Sequence, residues 1–316
     1  MSSTRPFRFG LVAYDGPADV VRWRELARRT EALGYSSLLL GDHVMQFLPF
    51  GGASPMLALA DAAAVTTTLR VGTAMLANDY RHPALVAKEA ATLDLLSDGR
   101  LELGIGAGWL QADYQALGIP YDPTSTRVDR LAEAVRVIKL AWAEEPFDFK
   151  GEHYTLRDYQ GLPKPAQRPG PPLVIGGGTP RVLRTAGALA DIVGIHVSTS
   201  APDAENRAAE ASEPRLLRKL EWIRSGAGPR FAGLELQMTV FALIVANRPE
   251  EAARQAARHH ADIEELARSV MSLVGTVDSV CDELRRRRDV WGVSYITVDA
   301  AMCEVFAPVV ARLAGT

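Results

Sequence analysis

Residues 70–106, RVGTAMLANDYRHPALVAKEAATLDLLSDGRLELGIG, hold two short apolar runs separated by one longer amphipathic stretch. RVGTAML (70–76) is too short for a helix and mostly apolar after Arg70, which predicts a buried strand. From about His82 the spacing changes: Leu85, Glu89, Leu93 and Leu96 fall along or beside one face of a helix. Gly99 stands beyond its end, where a left-handed residue closes many helices. LELGIG (101–106) is the next buried strand. A strand, a crossover helix and a second buried strand make a parallel unit.

The same rhythm extends in both directions. FRFGLVAY (7–14) reads as a strand, Pro17 to Leu33 as a helix closing at Gly34, and SLLLG (37–41) as a strand. Ser54-Pro55 opens a helix with a capping serine and proline at its first position. A helix from about Val128 carries Leu131, Val135, Ile138 and Trp142. PLVIGGG (172–178), DIVGIHV (191–197), LELQMTVFALIV (234–245) and SYITV (294–298) complete the strands. Helices are expected at about 204–225, 249–268, 277–291 and 302–314. Eight strands, each followed by a helix, predict one (β/α)8 barrel over residues 1–316 rather than an open doubly wound sheet. Two connections are long, after the fourth and sixth strands. Glu145 to Pro171 contains five prolines and Phe147, Phe149, Tyr154 and Tyr159, whereas Ser198 to Gly233 is largely polar. Such insertions serve as lids, binding loops or decoration.

Composition narrows the function classes. The chain is 47% hydrophobic and 23% charged, with net charge -3 and a sequence pI of about 6.1. It therefore offers no basic field for nucleic acid and no polybasic membrane anchor. The run Arg285 to Arg288 is expected to be a solvated helix end. Cys281 and Cys303 read as free thiols of a reducing compartment. MSSTRPFRFG lacks the apolar core of a signal peptide and no window reaches membrane-spanning length, so a cytoplasmic location is expected.

In such barrels the chemistry sits at the C-terminal ends of the strands. Those ends are Tyr14-Asp15, Asp42-His43, Ala77-Asn78, Gly106-Ala107-Gly108-Trp109, Gly176-Gly177-Gly178-Thr179 and His196-Val197-Ser198. Asp42, His43 and His196 would form a metal site only by accident of geometry, and no GxSxG turn or nucleophilic cysteine supports covalent hydrolysis. IGGGTPRV (175–182) leaves backbone N–H groups unshielded, Thr179 can cap and Pro180 fixes the first turn. That helix start suits phosphate, with Arg181 as an added contact; a tight turn needing glycine for room is the plainer reading. GIGAGW (104–109) is a weak dinucleotide signal, better read as close backbone approach to a flat ring system.

GTAMLANDYRHPALVAKEAATLDLLSDGRLELGIGAGW (72–109) resembles the third-to-fourth unit of the bacterial luciferase-like superfamily. GDH (41–43), GEHYTL (151–156), PPLVIGGGTPRVLRTAG (171–187) and LVGTVDSV (273–280) occur in the same order as in that superfamily. Among its members the chain looks most like oxidoreductases that use the deazaflavin coenzyme F420. The resemblance implies a cofactor ring near the barrel mouth and a phosphate tail on the glycine turn 176–179. It also implies a non-prolyl cis peptide at Ala74-Met75 bulging against the ring, and a homodimer. It places Asp42 and His43 beside the ring as the catalytic pair, His43 handling a proton and Asp42 orienting it or touching the ring.

Members that oxidise a sugar phosphate carry glutamate directly after GxGxG and a tryptophan a few residues after the Asp-His pair. Here Trp109 and, roughly, Phe47 stand there. An acid lost and an aromatic gained point away from a sugar phosphate, toward an apolar or conjugated substrate. The expectation is hydride transfer between F420 and a small organic molecule, with no metal. Asp42, Ala74, Met75, Asn78, Gly106, Ala107, Gly108, Trp109, Gly176, Gly177, Gly178, Thr179, Arg181 and His196 are expected around the cofactor. The alternatives are a monooxygenase using reduced FMN and oxygen, or a flavin-binding barrel without turnover.

Overall fold

The computed structural model describes residues 5–14, 16, 19–44, 52–197, 209–246, 248, 250–252, 254, 266 and 268–316. Asp15, Phe47 and Ser198, named above, lie outside the described residues, as do parts of the helices expected at 204–225 and 249–268.

Eight parallel staves close a barrel. They are β1 (Arg8–Ala13), β2 (Ser37–Leu40), β3 with β4 (Arg70–Thr73, Leu76–Ala77), β5 (Leu101–Gly106), β8 (Leu173–Gly177), β9 (Ile192–Ile195), β10 (Glu235–Val240) and β13 (Val293–Asp299). Hydrogen bonding runs β3-β2-β1-β13-β10-β9-β8-β5 and returns from β5 to β3 and β4, so no stave is an edge. The barrel helices include α1 (Val20–Ala32), α2 (Pro55–Ala64), α3 (Pro83–Leu96), α5 (Thr124–Trp142), α6 (Pro180–Leu189), α7 (Glu213–Ala227), α8 (Val277–Trp291) and α9 (Cys303–Leu313), with a short α4 (Gln111–Leu117) after β5. Among the described residues no helix is long and apolar enough to cross a membrane.

Alternation along each stave sends every second residue inward. The first inward layer is charged and polar: Arg8, Ser37, Arg70, Glu102, Glu235 and Tyr295. Arg8 meets Glu102 at 2.5 Å and Glu235 at 2.7 Å, Arg70 meets Glu102 at 2.7 Å, and the Ser37 and Tyr295 hydroxyls are 2.5 Å apart. Burial opposes the Glu102 charge, but Arg8 and Arg70 outweigh it and hold the carboxyl below its usual range. This network plugs the N-terminal end of the barrel. Above it Val174, Ile192 and Tyr295 pack with Met75.

Several elements differ from expectation. LELQMTVFALIV is two strands: after β10 the chain breaks at Phe241, and β11 (Ala242–Ala246) pairs in parallel with β12 (Ser272–Thr276) in a separate small sheet. The proline-rich connection contains an antiparallel hairpin, β6 (Phe147–Lys150) with β7 (Thr155–Tyr159), whose Leu156 packs on Ala84 and Val137. The helix α5 buries Leu131, Val135, Ile138 and Trp142 as its spacing predicts. By contrast, α3 leaves Leu85 and Leu96 exposed and buries Ala84, Val86, Ala87, Ala90, Ala91 and Leu93. Its contact face is made of small residues that permit close approach. The arginine run is not wholly solvated either: buried Arg287 donates to the carbonyls of Val270 and Ser272. Both cysteines are free and buried.

Candidate active site

The third stave is interrupted. Ala74–Met75 is a non-prolyl cis peptide, at the position the resemblance implied. Either side of it, Val71 and Gly72 pair with Leu101 and Glu102, while Leu76 and Ala77 pair with Ile105 and Gly106. At the break the Thr73 hydroxyl stands in for the ladder, donating to the Gly104 carbonyl at 2.6 Å and accepting from the Gly104 N–H at 2.9 Å. A Cβ on Gly104 would overlap the Thr73 carbonyl oxygen, so that glycine makes room for the bulge. Gly108 is at φ +73° with the Tyr114 hydroxyl where a Cβ would be. The space at these two glycines, expected for a ring, is filled by the protein itself.

Gly106 differs. A Cβ there would meet only Met75, at 3.6 Å, an ordinary contact. At Gly176 it would meet the Met75 methyl at 2.7 Å and His196 Nε2 at 2.9 Å, the ends of two side chains at the mouth. Gly41, Gly106 and Gly176 stand at the upper ends of β2, β5 and β8, and Met75 of the third stave lies between them, packed with Val174, Ile192 and Tyr295. Half of the mouth is therefore walled by glycine backbone and by the Met75 side chain, which runs from beside Gly106 to a methyl against Gly176. The other half carries Tyr14, His196, Gln237 and Asp299 on β1, β9, β10 and β13 or at their ends. Burial, reinforced by the charge of Asp299, pushes the Tyr14 hydroxyl up. Burial, reinforced by the cation of Lys219, pulls His196 down to about 4, so its imidazole is neutral at ordinary pH. Lys219 donates to the His196 carbonyl at 3.0 Å and pairs with Glu210 at 2.9 Å.

Asp42 and His43 diverge. Asp42 faces Arg81 and also accepts from the Ala77 N–H at 3.1 Å. It does not orient His43. That expectation is corrected because the guanidinium and the amide hold both carboxylate oxygens. His43 Nδ1 instead lies 2.8 Å from Oδ2 of Asp113 on α4, and its ring meets Trp109 edge-on, centroids 5.7 Å apart at 87°. Trp109 is 50% exposed. Its turn is pinned from behind. Arg127 donates to the carbonyls of Ala107 and Gly108, and Tyr121 donates to that of Trp109. Neither Asp113 nor Arg81 was singled out from sequence; an acid four residues beyond the Gly-Trp turn was the available signal.

Asn78 is buried, with its Nδ2 between Asp79 and the Tyr154 hydroxyl and its Oδ1 without a partner. At the glycine turn Thr179 occupies the cap position of α6, but its side chain makes no capping bond and its buried hydroxyl has no partner. A Cβ on Gly177 would overlap Val182, so packing of the first helical turn requires this glycine, and Gly178 is buried. Arg181 is exposed and pairs with Asp129 at 2.5 Å. Among the described residues no cluster of potential metal ligands occurs.

Comparison with known proteins accords with this geometry. The luciferase-like monooxygenase family profile matches residues 6–289. An F420-dependent glucose-6-phosphate dehydrogenase of Microbacterium testaceum is 32% identical over 208 residues, covering 64% of this chain and 59% of that protein. An FMNH2-dependent dimethylsulfone monooxygenase of Pseudomonas putida is 31% identical over 191 residues, 60% of this chain and 48% of that one. The chain thus spans about half the length of the curated relatives it matches. The solved F420-dependent tetrahydromethanopterin reductase of Methanopyrus kandleri superposes with a TM-score of 0.76 at 18% identity, covering 98% of this chain and 100% of that one, a likeness of fold. With the profile running through nearly every stave of the closed barrel, the chain belongs to the luciferase-like monooxygenase family.

Proposed function

We propose that this chain is an oxidoreductase that moves a hydride between a deazaflavin of the F420 type and a small apolar or conjugated organic substrate at the barrel mouth. The observation that carries this reading is the low wall at the mouth, where Gly41, Gly106 and Gly176 carry no side chains and only the Met75 side chain lies between them. A planar heterocycle can lie against glycine backbone and one flexible thioether, and these four adjacent staves supply both. The start of α6 fits a phosphate tail, because the unpartnered Thr179 hydroxyl lies among the first free N–H groups of a ten-residue helix. Bound there, the cofactor supplies the two-electron chemistry.

The protein's part is orientation and proton handling. His43, partly exposed beside the wall, can hold or release a proton at an imidazole nitrogen as hydride leaves or reaches the substrate. His196, kept neutral, can hydrogen-bond a ring without placing a cation against it. Trp109 presents an apolar face where an acid would bind a sugar hydroxyl, which favours an apolar partner. The same wall would accept FMN, and a relative named for reduced FMN supports that second reading, a monooxygenase using oxygen. Titration of the purified protein with each cofactor, followed by fluorescence at equal salt, separates the two. Tighter binding of F420 is expected; tighter FMN binding would overturn it. The homodimer proposed with this reading would cover Leu57, Leu85 and Leu96, which α2 and α3 leave exposed, and sedimentation tests it.

A further inference from the structure

His43 and Asp113 are 70 residues apart in sequence, yet Nδ1 and Oδ2 meet at 2.8 Å. Asp113 is fully buried, and its carboxylate environment is shared with the Tyr80 hydroxyl, which burial and then the charge of Asp113 push up. Neighbouring acids at this end of the barrel have arginine partners: Arg81 for Asp42, and Arg130 for Asp79 and Asp122. Asp113 is paired with an imidazole instead. The backbone that carries it is held in place. Arg127 and Tyr121 pin the Ala107–Trp109 turn, and the Asp113 N–H bonds the Leu110 carbonyl at 3.1 Å.

A carboxylate can only accept, so the nitrogen facing it must carry the proton. In neutral histidine the hydrogen bond made by one ring nitrogen decides the state of the other. We infer that Asp113 is a positioning residue that holds the proton of neutral His43 on Nδ1, leaving Nε2 as the nitrogen that accepts. Its use in turnover rests on the proposed hydride transfer; the tautomer does not. Were a substrate C–H bond to give up its electron pair as hydride to a bound deazaflavin, the proton released from the adjoining O–H, N–H or C–H bond would go to Nε2. The imidazolium so formed keeps its Nδ1–H bond to Asp113, and its charge faces a carboxylate in a site of low polarity. In the opposite direction Nε2 returns the proton. Trp109, edge-on to the ring, limits rotation that would exchange the two nitrogens.

The test reads the tautomer directly and needs neither cofactor nor substrate. Imidazole 15N spectra of the uniformly labelled full chain are recorded in mildly alkaline buffer, with the His43 signals assigned by their loss in His43→Gln. The wild type should show a protonated Nδ1 and an unprotonated Nε2. In Asp113→Ala, shown to be folded by cooperative unfolding, the proton should move to Nε2. A wild-type His43 protonated on Nε2 overturns the inference even if no variant folds. So does an unchanged tautomer in folded Asp113→Ala. Failure of the hydride reading would leave the spectra as expected, so the two outcomes are distinguishable.

Discussion

Asp42 and Arg81 form a two-point ion pair, Nη1 to Oδ2 at 2.6 Å and Nη2 to Oδ1 at 2.9 Å, across the break in the third stave. The Asp42 side chain is 4% exposed and that of Arg81 26%, so the carboxylate depends on its partner more than the cation does. Arg81→Met should cost about 3 kcal/mol, the low end for removing one partner of a buried pair. Asp42→Asn should cost less, because its amide oxygen can still accept from Ala77 while Arg81 turns toward water. Urea unfolding of both variants measures this; equal losses would mean that the carboxylate depends on its partner no more than the cation does.

Two glycines of the fourth stave should fail in opposite ways. Gly104→Ala places a methyl against the Thr73 carbonyl oxygen and the Met75 sulfur and should lower stability. Gly106→Ala meets Met75 at an ordinary 3.6 Å, so the fold should be kept. Its methyl would stand beside Met75 on the wall proposed for the ring, and F420 affinity should fall at least about tenfold, roughly 1.4 kcal/mol. Thermal unfolding paired with a binding titration reads both effects. Unchanged affinity in Gly106→Ala would remove the ring from this face.

What sequence could show depended on whether the signal was periodic. The face of α5 was legible because Leu131, Val135, Ile138 and Trp142 are large and regularly spaced. The face of α3 was not, because Ala84, Ala87, Ala90 and Ala91 carry the contact, and alanine scores as neither core nor surface. The Arg8–Glu102–Arg70 plug went unread although Glu102 sits inside LELGIG, since a charge within a short strand gives no hint of its partners. Asp113 and His43 meet only through the closure of the barrel. The break at Ala74–Met75 came from resemblance; nothing in the local residue pattern announces it.

His196 should make stability depend on pH. Its folded value of about 4 lies below the ordinary 6.5, so between these limits the unfolded chain binds more protons. Stability therefore rises with pH through that window, and the contribution is lost as pH falls from 6.5 toward 4. The ring is partly open to the mouth, which limits the effect to on the order of 2 kcal/mol. His196→Gln should flatten this part of the profile. Urea midpoints from pH 4 to 7 for both proteins check it, since the carboxylates they share cancel in the difference. Parallel profiles would mean that the ring takes up its proton as freely in the folded chain as in the unfolded one.

The proton-handling assignment gives the last expectation. His43 stands beside Gly41 at the mouth, bonded to Asp113 and edge-on to Trp109, whereas the residues suited to a phosphate tail lie at the start of α6. Chemistry and anchoring are thus on different staves. His43→Gln keeps a polar side chain of similar reach but cannot cycle a proton. Once a substrate is found, single-turnover rates should fall by about 10²–10⁴-fold, the range for loss of a general acid or base. The cofactor dissociation constant should move by less than about threefold, because the tail contacts are untouched. Both are to be measured on the same preparation. A slow variant that binds cofactor normally places His43 at the reacting atoms; a variant that loses affinity and rate together places it in the binding wall instead.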